Sequence, residues 1–427
     1  MTWLLIALIL LAALAGAPIF AVLAAAAMLG FHAGETPLTV LGVELYRLVD
    51  TPLLLALPLF TLAGYLLGES RTSERLVRLA RAALGWLPGG LPVVAFLTCA
   101  FLTAFTGASG VTIVALGAML YPALTKSGYP DRFSLGLVTS SGALGLLLPP
   151  SLPLILFAVI AQQLPAGAGV TIQDVFTAGL LPCLVMIILL SLFGLRVTRA
   201  NAIPLQPFSW GELRAAVAEA KWELPLPVFV FAGIYGGFFA VSEAAAVTAL
   251  YVLVTQMLVY REIKPGALPR IIRDAMMMVG SVLLIVGVAM SFTNWLIDAE
   301  IPTRLFDMVR AHIHSKYVFL MALTGFLLVL GMMLDIFSAL VIMVPLLLPM
   351  AVGYGVHPVH LGIIFLATME IGYCLPPVGM NLVIGSYRFR KPLIELAHAA
   401  LPFTAVLLLA ALIITYVPWL SLAFIGK

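Results

Sequence analysis

The sequence has few charged residues: Asp, Glu, Lys and Arg make up 10% of its 427 residues, whereas soluble domains contain about 25%. Apolar residues make up 63%, and the mean hydropathy is +1.15. This composition excludes a single soluble domain and predicts an all-α polytopic membrane protein embedded in the lipid bilayer. The net charge of only +3 gives no sign of a nucleic-acid partner.

Cysteines and catalytic motifs are also scarce. Cys99, Cys183 and Cys374 lie in apolar segments without the spacing of metal ligands, so we expect buried free thiols. The chain contains no Gly-Lys-Ser/Thr loop, His-Glu-x-x-His or Gly-x-Ser-x-Gly pattern. We therefore expect neither ATP hydrolysis through such a loop nor an enzyme of those classes.

Nine apolar segments approach the ~20 residues that cross a ~30 Å hydrocarbon core: 3–29, 51–68, 131–161, 175–196, 224–240, 243–260, 274–296, 358–386 and 395–424. The first contains Gly16-Ala17-Pro18, which leaves open whether it is one span, kinked or split. Two further regions, 90–125 and 317–350, break near their middles at 107–110 and at Asp335. We expect both to be re-entrant helical hairpins, because irregular backbone at membrane depth must be buried in protein or line a cavity.

The two hairpin regions belong to a repeat, in which positions 108–158 align without a gap with positions 335–385. Gly and Pro carry most of its identities, with Pro122, Gly128, Gly145 and Pro149-Pro150 matching Pro349, Gly355, Gly372 and Pro376-Pro377. Paired Gly/Pro-interrupted apolar segments in two halves of a chain indicate the binding site of a secondary transporter. The proline pairs predict that each repeat also contains a broken helix.

The basic residues predict that these repeats are inverted. With the N-terminus in the cytoplasm and the C-terminus outside, 17 of the 22 Lys and Arg fall on the cytoplasmic side, as the positive-inside rule requires. Their segments are 69–88, 126–132, 196–222, 261–273 and 387–391. The hairpin at 90–125 then opens to the cytoplasm and the hairpin at 317–350 to the outside, which is the geometry of alternating access.

An amphipathic stretch precedes each hairpin, from Glu69 to Leu84 and from Ile301 to Ile313. Each is either a solvated loop helix or an arm lying in the membrane interface. With the arms as boundaries, the chain divides into a first scaffold segment (1–85), a first transport segment (86–200), a second scaffold segment (201–316) and a second transport segment (317–427).

Oxygen-bearing residues concentrate at the breaks and predict two sites for a small hard cation. Pro149 and Pro376 are expected to leave the carbonyls of Gly145 and Gly372 without their helical partners. We prefer Na⁺ to H⁺ because a proton relay would use several carboxylates or histidines. The predicted first site comprises Gly107, Ser109, Thr112, Ser141, Gly142 and Gly145, and the second comprises Asp335, Ser338, Thr368 and Gly372.

Seven other residues near the breaks are expected to line a substrate cavity: Ser140, Pro149, Pro150, Glu370, Pro376, Pro377 and Asn381. Two of the carboxylates have alternative roles, since Asp335 could cap the following half-helix and Glu370 could be paired within the bundle. No Lys or Arg lies in the middle of a span. An anionic solute would therefore be held by half-helix N-termini, backbone amides and the bound cations.

At these residues the chain resembles the large membrane subunit of tripartite ATP-independent periplasmic (TRAP) transporters over essentially its full length. The resemblance rests on five stretches: Gly107–Gly110, Leu148–Ser151, Gly233–Gly236 with Ser242–Val247, Leu334-Asp335 and Leu375–Leu382. One departure is Ala240-Val241-Ser242, where the family usually has Thr-Pro-Thr.

The resemblance implies an elevator-type, Na⁺-driven importer in a bacterial inner membrane. Its partners would be a small membrane subunit of about four helices and a periplasmic binding protein, which delivers a carboxylate such as a C4-dicarboxylate, keto acid or sialic acid. The alternative is a self-sufficient, ion-coupled organic anion symporter of the same superfold. A channel or a membrane enzyme fits less well, since a channel does not need the paired breaks.

Overall fold

A computed structural model describes residues 2–49, 52–203 and 207–425, and within these ranges the chain is helical without strands. The first ten α-helices are α1 (Thr2–Leu14), α2 (Ile19–Ala33), α3 (Thr39–Val49), α4 (Ala56–Glu69), α5 (Thr72–Leu84), α6 (Gly90–Thr106), α7 (Ser109–Lys126), α8 (Asp131–Ser141), α9 (Leu152–Gln162) and α10 (Ile172–Ala200).

The remaining α-helices are α11 (Trp210–Glu219), α12 (Pro225–Tyr235), α13 (Val241–Val254), α14 (Leu268–Asp298), α15 (Ile301–His312), α16 (Lys316–Met333), α17 (Ile336–Gly353), α18 (Pro358–Gly372), α19 (Met380–Phe389), α20 (Leu393–Tyr416) and α21 (Trp419–Leu422). Short 3₁₀ turns occupy Pro52–Leu55, Leu144–Leu147, Pro165–Gly167 and Pro265–Ala267, and α13 continues into a π-helical turn at Thr255–Val259.

The predicted all-α polytopic fold is confirmed, but several helices differ in length from the predicted spans. The hairpin helices α7, α16 and α17, with 18 residues each, reach spanning length, whereas α4 and α18, with 14 and 15 residues, fall short of it. Among the described residues, seven helical segments are long and apolar enough to cross a membrane, or eight if α8 and α9 count as one bent span. The segment 3–29 is split, because Pro18 starts a new helix and α1 packs against α2. The helix within 224–240 has only 11 residues, since Gly237, with φ of +71°, follows its C-terminus. Position 51, where the span 51–68 is predicted to begin, lies outside the described residues.

Both predicted hairpins are present. Helices α6 and α7 pack against each other and are joined by Gly107 and Ala108 alone. The open end of the second hairpin is closed by three contacts between the start of α16 and the end of α17. Lys316 Nζ donates to Gly355 O at 2.7 Å, Tyr354 OH donates to Ile313 O at 2.6 Å, and the rings of Phe319 and Tyr354 stack at 4.3 Å. Each pair therefore enters and leaves on one face.

The hairpins open at opposite ends of α10, whose 29 residues extend about 43 Å. At its C-terminal end, Leu195 packs against Gly89, at the start of the first hairpin. Near its N-terminal end, the turn at Gly167 lies against Leu348 of α17 in the second hairpin. This agrees with the predicted sidedness, in which the hairpins open to different faces.

The broken helices cross the hairpins at matching positions of the two halves. Backbone of α6 at Ala100 and Ala104 leaves no room for a side chain at Gly145, and backbone at Gly331 does the same at Gly372. The offset of the sequence repeat relates position 104 to position 331, just as it relates 145 to 372. Helices α9 and α18 are buried almost all round, so these crossings form the core of the molecule.

The second half of each broken helix packs against the other half's hairpin. Helix α9 contacts α17, and α19 contacts α7. The two halves of the chain therefore interlock, and each hairpin is supported by a segment from the opposite repeat.

The crossing at Gly331 gives a stability prediction with a control in the same helix. A Cβ at Gly331 would lie 2.6 Å from Met369 O, whereas a Cβ at Gly325 meets nothing within 4 Å. We expect Gly331→Ala to destabilise the protein by about 1–3 kcal/mol through overpacking, and Gly325→Ala to be neutral or slightly stabilising. Melting temperatures in detergent measure both. Equal melting temperatures for the two variants would contradict the close crossing.

Several ion pairs link distant segments on the face predicted to be cytoplasmic. Within the portion of the chain that the structure describes, they link Arg75 with Glu223 and Glu262, Arg78 with Glu212 and Glu219, Arg270 with Glu69, and Lys391 with Asp131. The basic segments identified from the sequence therefore share one side of the molecule.

Candidate functional site

The two hairpin tips meet at one cavity of about 780 Å³. The first tip contributes Gly107 to Val111 and the second contributes Asp335 to Phe337. Tyr65 of α4 and Met278 of α14 lie on the wall, where Tyr65 OH donates to Met278 Sδ at 3.6 Å. The other lining residues are Gly68, Glu69, Val114, Ala115, Leu146, Tyr373, Met380 and Ile384.

The first tip is held by the second half of the chain. Gly107 has φ of +65°, and Leu152 packs where its side chain would be, so the turn requires glycine. Ser109 Oγ donates to Asn381 Oδ1 at 2.7 Å, and both side chains are buried. Helix α7 has no side-chain cap, so the first amides of α7 stand at the cavity without intrahelical partners.

A cluster of oxygens lies behind this tip. Thr103 Oγ1 donates to Gly142 O at 2.8 Å and lies 2.6 Å from Thr112 Oγ1, and Gly142 packs against Ser109 O. Three residues of the predicted first cation site (Ser109, Thr112 and Gly142) are thereby brought together. Thr103 was not predicted, although it precedes Gly107 by one helical turn and that spacing could have identified it.

Ser141 and Gly145, which were also predicted to belong to the first cation site, have other hydrogen-bond partners. Ser141 Oγ donates to Cys99 Sγ and Val138 O, so its hydroxyl does not join the Thr103 cluster. The Gly145 carbonyl, predicted to be free, accepts the Leu148 amide at 3.1 Å. The proline does remove the i+4 partner, but the chain tightens into a 3₁₀ turn that supplies the i+3 amide instead.

At the second tip, Asp335 caps α17. Its Oδ2 accepts the Ser338 amide at 3.0 Å and its Oδ1 accepts the Ser338 hydroxyl at 2.5 Å. The carboxylate remains partly exposed to the cavity. Gly379 N donates to Met332 O at 3.2 Å, so the loop after the second proline pair supports this tip. Capping is thus an observed role of Asp335, which also faces the cavity.

Of the two remaining residues of the predicted second cation site, Thr368 has an available oxygen and Gly372 does not. Thr368 Oγ1 is buried and has no hydrogen-bond partner within the described part of the chain, which leaves an oxygen lone pair available to a cation. The Gly372 carbonyl accepts the Leu375 amide at 3.0 Å. The prediction that it is free is therefore wrong, for the same reason as at Gly145.

The seven residues predicted to line the cavity are not among its lining residues. Ser140, Pro149, Pro150 and Glu370 are buried in the helical core, and Asn381 lies behind Ser109. Pro376 and Pro377 are exposed outside the lining. The first proline break packs against neighbouring helices, which cover its irregular backbone, and the cavity is bounded instead by the hairpin tips and by α4, α14 and α19.

Glu370 is buried, and its Oε1 has no hydrogen-bond partner among the described residues. The alternative that it is paired within the bundle is therefore not supported by this structure. The thiols of Cys99, Cys183 and Cys374 are free and buried, as predicted. The wall residues Tyr65 and Met278 carried no signal in the sequence, because a single aromatic residue or methionine in an apolar span is ordinary.

Among the described residues, the cavity wall carries two carboxylates and no Lys or Arg. Asp335 lies at the tip, and Glu69 lies at the rim, where it pairs with Arg270 at 2.6 Å. The wall can therefore attract a cation directly, whereas an anion must rely on bound cations and on the free amides of α7.

Comparison with known proteins agrees with this arrangement. Residues 3–420 match the family described as "Tripartite ATP-independent periplasmic transporter, DctM component". The C4-dicarboxylate TRAP transporter large permease protein DctM of Pseudomonas aeruginosa is 33% identical over 384 residues, covering 90% of this chain and 88% of that protein. The ectoine TRAP transporter large permease protein TeaC of Halomonas elongata is 30% identical over 427 residues, covering 99% and 98%.

A longer relative and two solved structures extend the comparison. The isethionate TRAP transporter permease protein DctMQ of Oleidesulfovibrio alaskensis is 33% identical over 92% of this chain but only 61% of its own length. The Alcanivorax borkumensis YdaH transporter has a TM-score of 0.64 at 15% identity, over 90% of this chain and 88% of that one. The Neisseria gonorrhoeae MtrF structure has a TM-score of 0.55 at 12% identity, over 86% and 79%. These structures share the fold.

Proposed function

The chain belongs to the DctM component family of tripartite ATP-independent periplasmic transporters, and from this membership and its cavity we propose a Na⁺-coupled importer of a small organic acid. As a TRAP large permease it is a multi-pass membrane transport protein and not an enzyme. The proposal concerns what drives transport, what is carried and how the protein moves.

The observation that carries the proposal is the meeting of two broken hairpins, open to opposite faces, at one cavity. Such a site at the junction of two halves can be reached from either side of the membrane in turn. Its wall combines the tips, which belong to the transport segments, with Tyr65 and Met278, which belong to the scaffold segments. Sliding of the tips along this apolar wall is the elevator movement that we propose.

Two Na⁺ ions would bind at the tips. The first would use the hydroxyls of Thr103 and Thr112 and the carbonyls of Ser109 and Gly142, which the structure brings together. The second would use Asp335 with Ser338, and Thr368 supplies an unpartnered hydroxyl. Oxygen donors of this kind suit a hard cation. Bound Na⁺ would also balance the charge of a carboxylate solute in a cavity without basic side chains.

The proposed assembly has three components and lies in a bacterial inner membrane. A periplasmic binding protein delivers the solute, and a small four-helix membrane subunit accompanies this chain. Because this chain covers only 61% of the DctMQ relative, that protein has room for such a second module. The N-terminus is proposed to be cytoplasmic and the C-terminus periplasmic, as the distribution of Lys and Arg indicates.

Reconstitution tests the proposal. The binding protein is first screened by thermal shift with succinate, isethionate, ectoine and N-acetylneuraminate, and the solute it binds becomes the labelled probe. Liposomes containing this chain and the small subunit should accumulate the probe only with an inward Na⁺ gradient and the binding protein present. Accumulation by this chain alone would favour the self-sufficient symporter, and accumulation unaffected by Na⁺ would refute the coupling.

A further inference from the structure

A second recess adjoins the central cavity on the face predicted to be cytoplasmic. Its volume is about 380 Å³, and its wall is formed by Val114, Ile384, Tyr387, Arg388 and Arg390. Val114 and Ile384 line both the recess and the central cavity, so the two spaces adjoin. Helix α19 runs along the connection, and Met380 lies about 12 Å from Arg388 along its axis.

The recess is basic, whereas the cavity is acidic. Arg388 and Arg390 are exposed, and over the described residues neither guanidinium has an ion-pair or hydrogen-bond partner. The neighbouring Lys391 differs, because it pairs with Glu395 at 2.9 Å and with Asp131 at 3.6 Å, and it does not line the recess. Arg390 ends α19 with φ of +52°.

The position of the arginines separates binding of the solute inside the cavity from its passage through the recess. Arg388 lies about 12 Å along α19 from Met380 on the cavity wall, which exceeds the Debye length of about 8 Å at physiological ionic strength. Its exposed charge is therefore largely screened at that part of the wall. Both arginines do act on an anion that is passing between the cavity and bulk water. Unpaired charges at the mouth of a low-dielectric cleft raise the local concentration of counter-ions and their rate of association.

We propose that Arg388 and Arg390 form a low-affinity carboxylate site at the cytoplasmic mouth, through which the solute leaves the cavity. This inference rests on the proposed function, because it assumes that the cargo is an anion and that the mouth faces the cytoplasm. The site receives the carboxylate as it leaves the Na⁺-occupied tips. By the same interaction it lets internal solute re-enter, which sets the internal concentration at which exchange becomes half-maximal.

The test uses the reconstituted complex with labelled succinate, or isethionate if the binding protein prefers it. Binding protein added outside selects the molecules whose periplasmic side faces outward. In Arg388→Gln/Arg390→Asn, where asparagine tolerates the left-handed backbone, the internal solute concentration for half-maximal exchange should rise about three- to tenfold at low salt. The external half-saturation values for Na⁺ and solute should not change. Choline chloride at constant Na⁺ should reduce the difference, because it screens exposed charges.

Arg214→Gln is the matched control. Arg214 is exposed on α11, on the same predicted face, and lies outside both spaces. The size-exclusion profile of each variant detects any failure to fold. The variant Arg388→Lys/Arg390→Lys keeps the positive charge and should retain wild-type exchange. The inference would be overturned if the internal solute concentration for half-maximal exchange were unchanged in Arg388→Gln/Arg390→Asn, or if it changed equally in Arg214→Gln. Either result would leave the proposed function intact. Absence of Na⁺-driven uptake in the wild-type complex would instead overturn the proposed function itself.

Discussion

Asp335→Asn is expected to raise the Na⁺ concentration for half-maximal uptake at least tenfold while the protein stays folded. Asparagine caps helices about as well as aspartate, so the hydrogen bond to the Ser338 amide can be kept. The variant removes only the charge, which a cation site at the second tip needs. The measurement is uptake by the reconstituted complex over a Na⁺ series at constant ionic strength.

Two further variants separate the roles of the tips. Asp335→Ala removes both the charge and the cap, so it should show the same Na⁺ defect together with a lower melting temperature. Ser109→Ala should have a smaller effect on Na⁺, because its hydroxyl acts by holding Asn381 and its carbonyl remains. Wild-type Na⁺ dependence in Asp335→Asn would show that Asp335 only caps α17 and would remove the proposed second site.

Arg75→Ala is expected to destabilise the protein by about 3–5 kcal/mol, the usual cost of breaking a buried ion pair. Arg75 and Glu223 are 3% and 2% exposed, and Arg75 Nε donates to Glu223 Oε1 at 2.7 Å. Burial alone would lower the pKa of Arg75, but hydrogen bonds with Glu262 and Glu223 outweigh it and raise the pKa. Without Arg75, the Glu223 carboxylate stays buried, and its remaining partners among the described residues are the hydroxyls of Thr72 and Tyr260.

The same helix provides the control. Arg78 also bonds two glutamates, Glu212 and Glu219, but its side chain is 44% exposed, so Arg78→Ala should change the melting temperature little. Adding Glu223→Gln to Arg75→Ala should recover some of the loss, because an unpaired amide costs less to bury than an unpaired carboxylate. Equal melting temperatures for Arg75→Ala and Arg78→Ala would show that the buried pair does not anchor α5.

Helix α5 shows which features an amphipathic sequence pattern predicts and which it does not. The amphipathic stretch from Glu69 to Leu84 predicted a helix, and α5 occupies Thr72–Leu84. This stretch contains Arg71, Arg75, Arg78 and Arg81, and the pattern does not distinguish their surroundings. The fold separates them instead, because Glu223 and Glu262, from distant segments, bury Arg75 alone while Arg78 stays half exposed.

The residues of the predicted cation sites show the same limit for individual hydrogen bonds. The oxygen-bearing residues at the breaks were recognisable from Gly, Pro, Ser and Asp in apolar sequence. The bonding partner of each oxygen was not, because it depends on which helix lies alongside. Ser141 turns to Cys99, Thr112 meets Thr103, and the carbonyls of Gly145 and Gly372 are taken by 3₁₀ turns.

The sequence by itself determined that the chain is helical and membrane-embedded, where its backbone breaks, and which segments share a face. Those properties follow from local rules. A spanning helix needs an apolar stretch as long as the bilayer is thick, proline lacks the amide hydrogen that a helix needs, and Lys and Arg are more frequent on the cytoplasmic side. Only the tertiary structure decided that both hairpin tips reach one cavity, that Tyr65 and Met278 complete its wall, and that Arg388 and Arg390 line an adjoining recess. Those relations depend on helices from opposite halves of the chain packing side by side, and no local pattern encodes which of them become neighbours.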